Sequence, residues 1–241
     1  MNKPYDITYP EKIIRHIGDF FETTFQEDVD QLKKGVKHPA HEMSQRIFSL
    51  VDSSAPVGID LPVLLKPRHT DYNGITVVLL GQDPRRIDTD VDMSLKETHA
   101  FIGTPYRIHH TEGLSGATLV NIALAERLTS EGYGVYLTDV VKYFKQRRNT
   151  KSLLQANEQL LVDELKALGG NILPVLSGKI AQNAFANIMP RLNVQVCPKI
   201  DVPHLSSNWA MKDWCKLTGS ARKCDKINYV INQIRENEKA I

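Results

Sequence analysis

One stretch limits the fold more than any other. Residues 75–80 read ITVVLL, a continuous apolar run rich in β-branched side chains. A run without polar alternation is what a strand buried on both faces requires. Similar runs recur at 135–141, 172–176 and, less cleanly, 194–202, and helical patterns occupy 118–128, 153–168 and 179–188 between them. Strands alternating with helices predict βαβ crossovers, hence a parallel sheet with helices on both faces. Upstream, Ile13, Ile14, Ile17, Phe20, Phe21, Phe25, Val29 and Leu32 predict one amphipathic helix ending near Gly35. Met43, Ile47, Phe48 and Val51 predict a second, and Ile227, Val230, Ile231 and Ile234 mark a last one. The expected fold is a three-layer α/β/α domain around a central four-stranded parallel sheet. It is expected to form one domain over 1–241, with 1–55 as a helical N-terminal extension. With 241 residues and 41% apolar content, the chain can fill one such core.

Charge narrows the partners. Thirty basic against 28 acidic residues leave a net charge of +2, which excludes coating nucleic acid through bulk charge but not through a local patch. Such a patch exists: Lys142, Lys145, Arg147, Arg148 and Lys151 lie in a stretch, 142–157, that holds no acidic residue and also carries Tyr143 and Phe144. Lys212, Lys216, Arg222 and Lys223 would form a second flank. Taken alone, a charge run also suits a merely solvated face. Cys197, Cys215 and Cys224 lack the paired spacing of a metal or iron–sulfur site, so no metal is expected. No apolar run reaches a membrane span, and the first residues contain no secretory apolar core. A cytoplasmic, monomeric protein without a cofactor is expected.

In doubly wound folds, ligands sit beyond the carboxyl ends of the strands. There the chain places Gln82-Asp83-Pro84, then Thr138-Asp139 followed by Lys142, then Ser177-Gly178-Lys179, and finally Pro203-His204-Leu205-Ser206-Ser207. Two Asp and a His thus converge on one rim, with small residues leaving room for a ligand. Each has a plainer reading taken singly. Asp83 before proline suits a turn, Ser206 a helix cap, and Phe101 a core position. His109-His110 reads as solvated loop.

GQDP after the first buried strand and HLSS after the last resemble the uracil-DNA glycosylase superfamily, whose widespread type carries GQDPYH and HPSPLS there. Ala100-Phe101 looks like the segment whose Phe stacks on the base. Residues 118–122, TLVNI, resemble the family's SLxNI, and 178–182, GKIAQ, resemble its GxxAQ. The motifs keep the family's order. The resemblance implies a protein that flips uracil, or another deaminated or modified base, out of DNA and hydrolyses its N-glycosidic bond. It implies Asp83 and His204 as catalytic residues: Asp83 orients the water and stabilises the cationic sugar, and His204 donates to the developing base oxyanion. Gln82, Phe101 and Asp139 would hold the base. Lys142, Lys145, Arg147, Arg148, Ser206 and Ser207 would contact DNA, with Ser115 or Ser177 as further phosphate ligands.

Three positions depart from the family. Asp139 stands where the family has a uracil-reading Asn; ionised, it accepts a hydrogen bond but cannot donate one to O4. Either specificity is altered, or another residue reads the base, or the pocket no longer turns uracil over. Arg85 replaces the Tyr that excludes thymine, and an acidic segment, 87–98, follows it. Asn208 occupies the place of the wedge Leu, leaving Leu205 or Trp209 for that task. A catalytically altered DNA- or base-binding module on the same fold is therefore the second reading. An enzyme acting on a small phosphorylated ligand would need GxGxxG or GxxxxGK[ST], and neither occurs.

Overall fold

The computed structural model describes residues 3–51, 56–82, 91–110, 116–143, 151–192, 195–196, 198–205 and 210–239. Its strands are β1 (Tyr5–Thr8), β2 (Ala40–Glu42), β3 (Val57–Asp60), β4 (Val63–Pro67), β5 (Ile75–Gly81), β6 (His99–Gly103), β7 (Gly134–Asp139), β8 (Asn171–Ser177), β9 (Gln195–Val196) and β10 (Ile200–Val202). Its helices are α1 (Glu11–Phe21), α2 (Gln26–Lys33), α3 (Gln45–Leu50), α4 (Gly116–Ser130), α5 (Lys151–Leu168), α6 (Lys179–Ile188), α7 (Met211–Thr218) and α8 (Lys223–Glu238).

The continuous apolar runs become the middle of the main sheet. Strands β7, β5, β8 and β10 lie side by side and parallel, as the alternation predicts. From its second residue onward β5 is buried throughout, and so are all of β7 and, from Ile172, β8. The sheet is wider than the four strands expected: β4 pairs antiparallel with β7, and β1 antiparallel with β4. These additions are short, and β4 ends in a proline, so their sequences carry little strand periodicity. The run 194–202 is also divided. β9 pairs with the start of β8 and β10 with its end, and between them lies Pro198, which has no N–H to donate to a ladder. On one side α4 and α8 pack together and against the strands, while on the other α5 packs between α1 and α6. The three layers are therefore present.

The N-terminal extension is not wholly helical. It opens with β1, and β2 joins β6 and β3 in a separate three-stranded sheet. The single helix expected up to Gly35 is two, broken after Phe21. Glu22 adopts left-handed backbone at φ 53°, and a Cβ on Gly18 would lie 2.6 Å from the Thr23 carbonyl, so the chain turns tightly there. His41 of β2 bridges the break, bonding Thr23 Oγ1 at 2.9 Å and Asp28 Oδ2 at 2.8 Å. The second sheet is tied to the end of β7: the Asp60 N–H donates to the Lys142 carbonyl at 3.1 Å, and Ile59 bridges Tyr143.

His109 is not a solvated loop residue. Its ring stacks on Tyr9 at 5.7 Å and its Nε2 shares a hydrogen bond with the Tyr9 hydroxyl. Burial, with smaller contributions from Lys3 and His110, pushes its pKa from 6.5 down to about 4. Between those values the unfolded chain holds a proton that the folded one lacks, so this group removes stability as pH falls through that window. Thermal unfolding followed from pH 7 to pH 4 is expected to show a shallower loss in His109→Phe than in the unmodified protein. Parallel curves would remove His109 from the acid response.

Candidate functional site

Two glycines at the ends of neighbouring strands organise the rim. Gly81 closes β5 and faces Asp139, the last residue of β7, in the parallel register. The β7 chain continues along it: the N–H groups of Val140 and Val141 donate to the carbonyls of Gly81 and Gln82 at 3.1 and 3.0 Å. A Cβ on Gly81 would stand 2.2 Å from Asp139 Oδ1, so only a glycine lets this carboxylate lie over the end of β5. Asp139 is 5% exposed.

The second glycine, Gly178, follows β8. At φ 89° it adopts a backbone that other residues rarely take, and a Cβ there would meet the His204 side chain at 3.3 Å. His204 thus packs on the end of β8 as Asp139 does on the end of β5. Several hydrogen bonds hold the described part of its loop. The Gly178 N–H and the Gln182 side-chain amide both donate to the Val202 carbonyl at 3.0 Å. Ser177 Oγ accepts from the Leu205 N–H at 3.0 Å, and Trp214 Nε1 donates to the His204 carbonyl at 3.3 Å. Lys226 reaches the Leu205 carbonyl at 3.4 Å with its ammonium 5.6 Å from the centre of the Trp214 ring. Burial first, and then the Lys226 charge, hold the His204 pKa below the ordinary imidazole value. The ring is therefore neutral at pH 7, a donor or an acceptor but not a cation.

Several expected site residues take other places. Lys142 is corrected: it does not face DNA. It is 1% exposed, and its ammonium pairs with Glu164, 0% exposed, at 2.6 Å. It also donates to the Asp139 carbonyl at 2.6 Å and to Thr138 Oγ1, while Glu164 accepts from the Tyr136 hydroxyl at 2.7 Å and from Thr138. Its backbone N–H is taken by Asn157 at 3.2 Å. Lys142 is thus the post on which the end of β7, and with it Asp139, is set. Ser177 is spent on the His204 loop rather than on phosphate. Leu205 is 1% exposed within the core and cannot serve as a wedge. Phe101 is 1% exposed in β6 but stands outside the contiguous apolar core of the described residues. Gln82 is half-buried at the end of β5. Asp83, Lys145, Arg147, Arg148, Ser206 and Ser207 lie outside the described residues, as do Arg85, Ser115, Asn208 and Trp209.

Two further residues, a carboxylate and a phenol, carry no sequence signal. Asp60, 4% exposed, ends β3. Tyr106 follows β6 in a turn where it and Arg107 adopt φ 57° and 52°. Left-handed backbone costs a non-glycine residue about 1–2 kcal/mol, and glycine or asparagine usually announces it. The Tyr106 hydroxyl is buried and has no hydrogen-bond partner among the described residues, a state that costs about 1–3 kcal/mol. It lies 3.0 Å from where a Gly81 Cβ would be, against the same glycine as Asp139. Burial above all, and then the Asp139 and Asp60 carboxylates, hold its phenol protonated far above pH 10.

His204 lines a cleft of about 660 Å³ between α6 and α7, with Lys179, Gln182, Asp213 and Lys216 also along its walls. Lys212, Lys216, Arg222 and Lys223 are exposed. No described helix is long and apolar enough to cross a membrane. Among curated proteins, none matches the chain. Residues 67–230, from the end of β4 into α8, match the family model described as Uracil DNA glycosylase superfamily.

Proposed function

Because the chain belongs to the uracil-DNA glycosylase superfamily, we propose that it removes uracil, or another deaminated or modified base, from DNA by hydrolysing the N-glycosidic bond. The observation that carries this reading is the pairing of Asp139 on Gly81 with His204 on Gly178, at the carboxyl ends of adjacent parallel strands. A flipped base entering between them would meet a carboxylate on one side and a neutral imidazole on the other.

The reaction then divides among the residues. As the bond between the sugar C1′ and the base nitrogen breaks, its electron pair goes to the base and the sugar becomes oxocarbenium-like. Asp83, which follows Gly81-Gln82, would orient the water whose oxygen bonds to C1′ and stabilise the cation with its charge. His204, neutral and fixed by its loop, would donate to the carbonyl oxygen on which negative charge grows. A preorganised donor of this kind supplies about 3–4 kcal/mol of transition-state stabilisation. Phe101 would offer a stacking face to the base and Gln82 a backbone contact. In this reading the protein works as a cytoplasmic monomer and uses neither metal nor cofactor.

DNA would run across the mouth of this pocket. Lys145, Arg147 and Arg148 would meet phosphates on one side, without Lys142. Ser206, Ser207 and the exposed lysines of α7 would meet them on the other, so binding should weaken as salt rises. A second reading, a base-binding module that has lost turnover, is favoured by one observation: the buried carboxylate of Asp139 where the family carries an amide. Alkaline cleavage of oligonucleotides bearing uracil, hypoxanthine, mismatched thymine or modified cytosine separates the two. Abasic product from any of them, at stoichiometric protein, supports the glycosylase. Salt-dependent binding with no product from all four supports the module.

A further inference from the structure

A carboxylate alone reads only half of a uracil edge. That edge presents a ring N–H donor beside a carbonyl acceptor, and an ionised Asp139 can satisfy the first while repelling the second. The donor it lacks stands against the same glycine. The Tyr106 hydroxyl and Asp139 Oδ1 approach one point above Gly81, to 3.0 and 2.2 Å of where a Cβ would be. The hydroxyl is buried with no hydrogen-bond partner among the described residues, and two successive left-handed residues, Tyr106 and Arg107, form the turn that holds it there. Buried hydroxyls ordinarily find partners within the fold. An orphan maintained by a strained turn is an arrangement that a ligand completes.

We propose that Tyr106 is a second base-reading residue, its hydroxyl donating to the carbonyl oxygen of the flipped base while Asp139 accepts from the adjacent ring N–H. The two side chains then divide between them the acceptor and donor of one amide. The assignment rests on the glycosylase reading for the presence of a flipped base, and it names the class of base: one with a lactam edge, such as uracil, a 5-substituted uracil or hypoxanthine. Cytosine in the same placement would set its N3 lone pair against the Asp139 carboxylate and be rejected.

The test compares the full-length protein with Tyr106→Phe, which removes the oxygen alone. Affinity is measured by fluorescence polarisation for three single-stranded oligonucleotides. One carries 2′-fluoroarabino-uridine, whose glycosidic bond resists hydrolysis, one the corresponding cytidine, and one a tetrahydrofuran abasic analogue. The unmodified protein is expected to prefer the uridine oligonucleotide. Tyr106→Phe is expected to lose about tenfold of that affinity, the worth of one hydrogen bond at a confined site, and to bind the abasic oligonucleotide as before. Its melting temperature should equal or exceed that of the unmodified protein, because the hydroxyl it lacks has no partner among the described residues. Equal uridine affinity in the two proteins would overturn the assignment. So would a lower melting temperature with all three oligonucleotides weakened alike, or an unmodified protein that binds uridine no better than the abasic analogue. Uridine binding that depends on Tyr106, in a protein that releases no base, would refute the glycosylase reading and keep this one. Base release that Tyr106→Phe leaves unchanged, with unchanged uridine affinity, would do the reverse.

Discussion

Replacing Lys142 by Ala is expected to cost about 3–5 kcal/mol of stability, the penalty for leaving one member of a buried ion pair without the other. Glu164, fully buried, would lose the ammonium 2.6 Å away. The Asp139 carbonyl and Thr138 Oγ1 would lose a donor at the same time. Urea denaturation would show a lower midpoint at an unchanged slope. The double replacement Lys142→Met with Glu164→Leu should recover much of the loss, since a buried pair exchanged for apolar groups of similar size is often close to neutral. A Lys142→Ala protein as stable as the original, with weaker and less salt-dependent DNA binding, would return Lys142 to the DNA surface and undo the structural assignment.

Lys142 also shows where reading the sequence stops. It opens a stretch of five cations without an acidic residue, and nothing in that stretch reports that its partner, Glu164, waits on α5. The strands that form the rim were legible because a strand buried on both faces has to be written in continuous apolar residues. The expected run 172–176 lies within β8, and the expected helix 179–188 coincides with α6. The edge strands β1 and β4 were not legible, because YDIT and VLLKP carry little apolar periodicity and are placed by pairing rather than by pattern. Small residues at the strand ends were expected to leave space for a ligand. Gly81 and Gly178 leave it for the protein's own side chains, Asp139 and His204. Tyr106 carries no signal in the sequence for a physical reason: an orphaned hydroxyl is a property of tertiary structure, and the residue types around it are ordinary.

The second large effect belongs to His204. His204→Ala is expected to lower the single-turnover rate of base release about 100- to 1,000-fold while the protein stays folded. Hydrogen bonds that fix its loop run through the His204 and Leu205 backbone and through Gln182 and Ser177. Because burial and Lys226 keep the imidazole neutral, release by the unmodified protein should show no ionisation step near pH 6.5. A rate that rises as pH falls through 6.5, and loses that rise in His204→Ala, would mean that the ring acts as a cation and would contradict the neutral-donor role.

The central claim is that this rim breaks a glycosidic bond with the water held by Asp83. Its most direct measurement is single-turnover release of uracil from a single-stranded oligonucleotide, by the unmodified protein and by Asp83→Asn, with DNA affinity recorded for both. The expected result is abasic product from the first, and near-complete loss of product from the second at unchanged affinity. Asp83→Asn releasing uracil at the original rate would contradict the claim, as would an unmodified protein that binds the oligonucleotide and leaves every base in place.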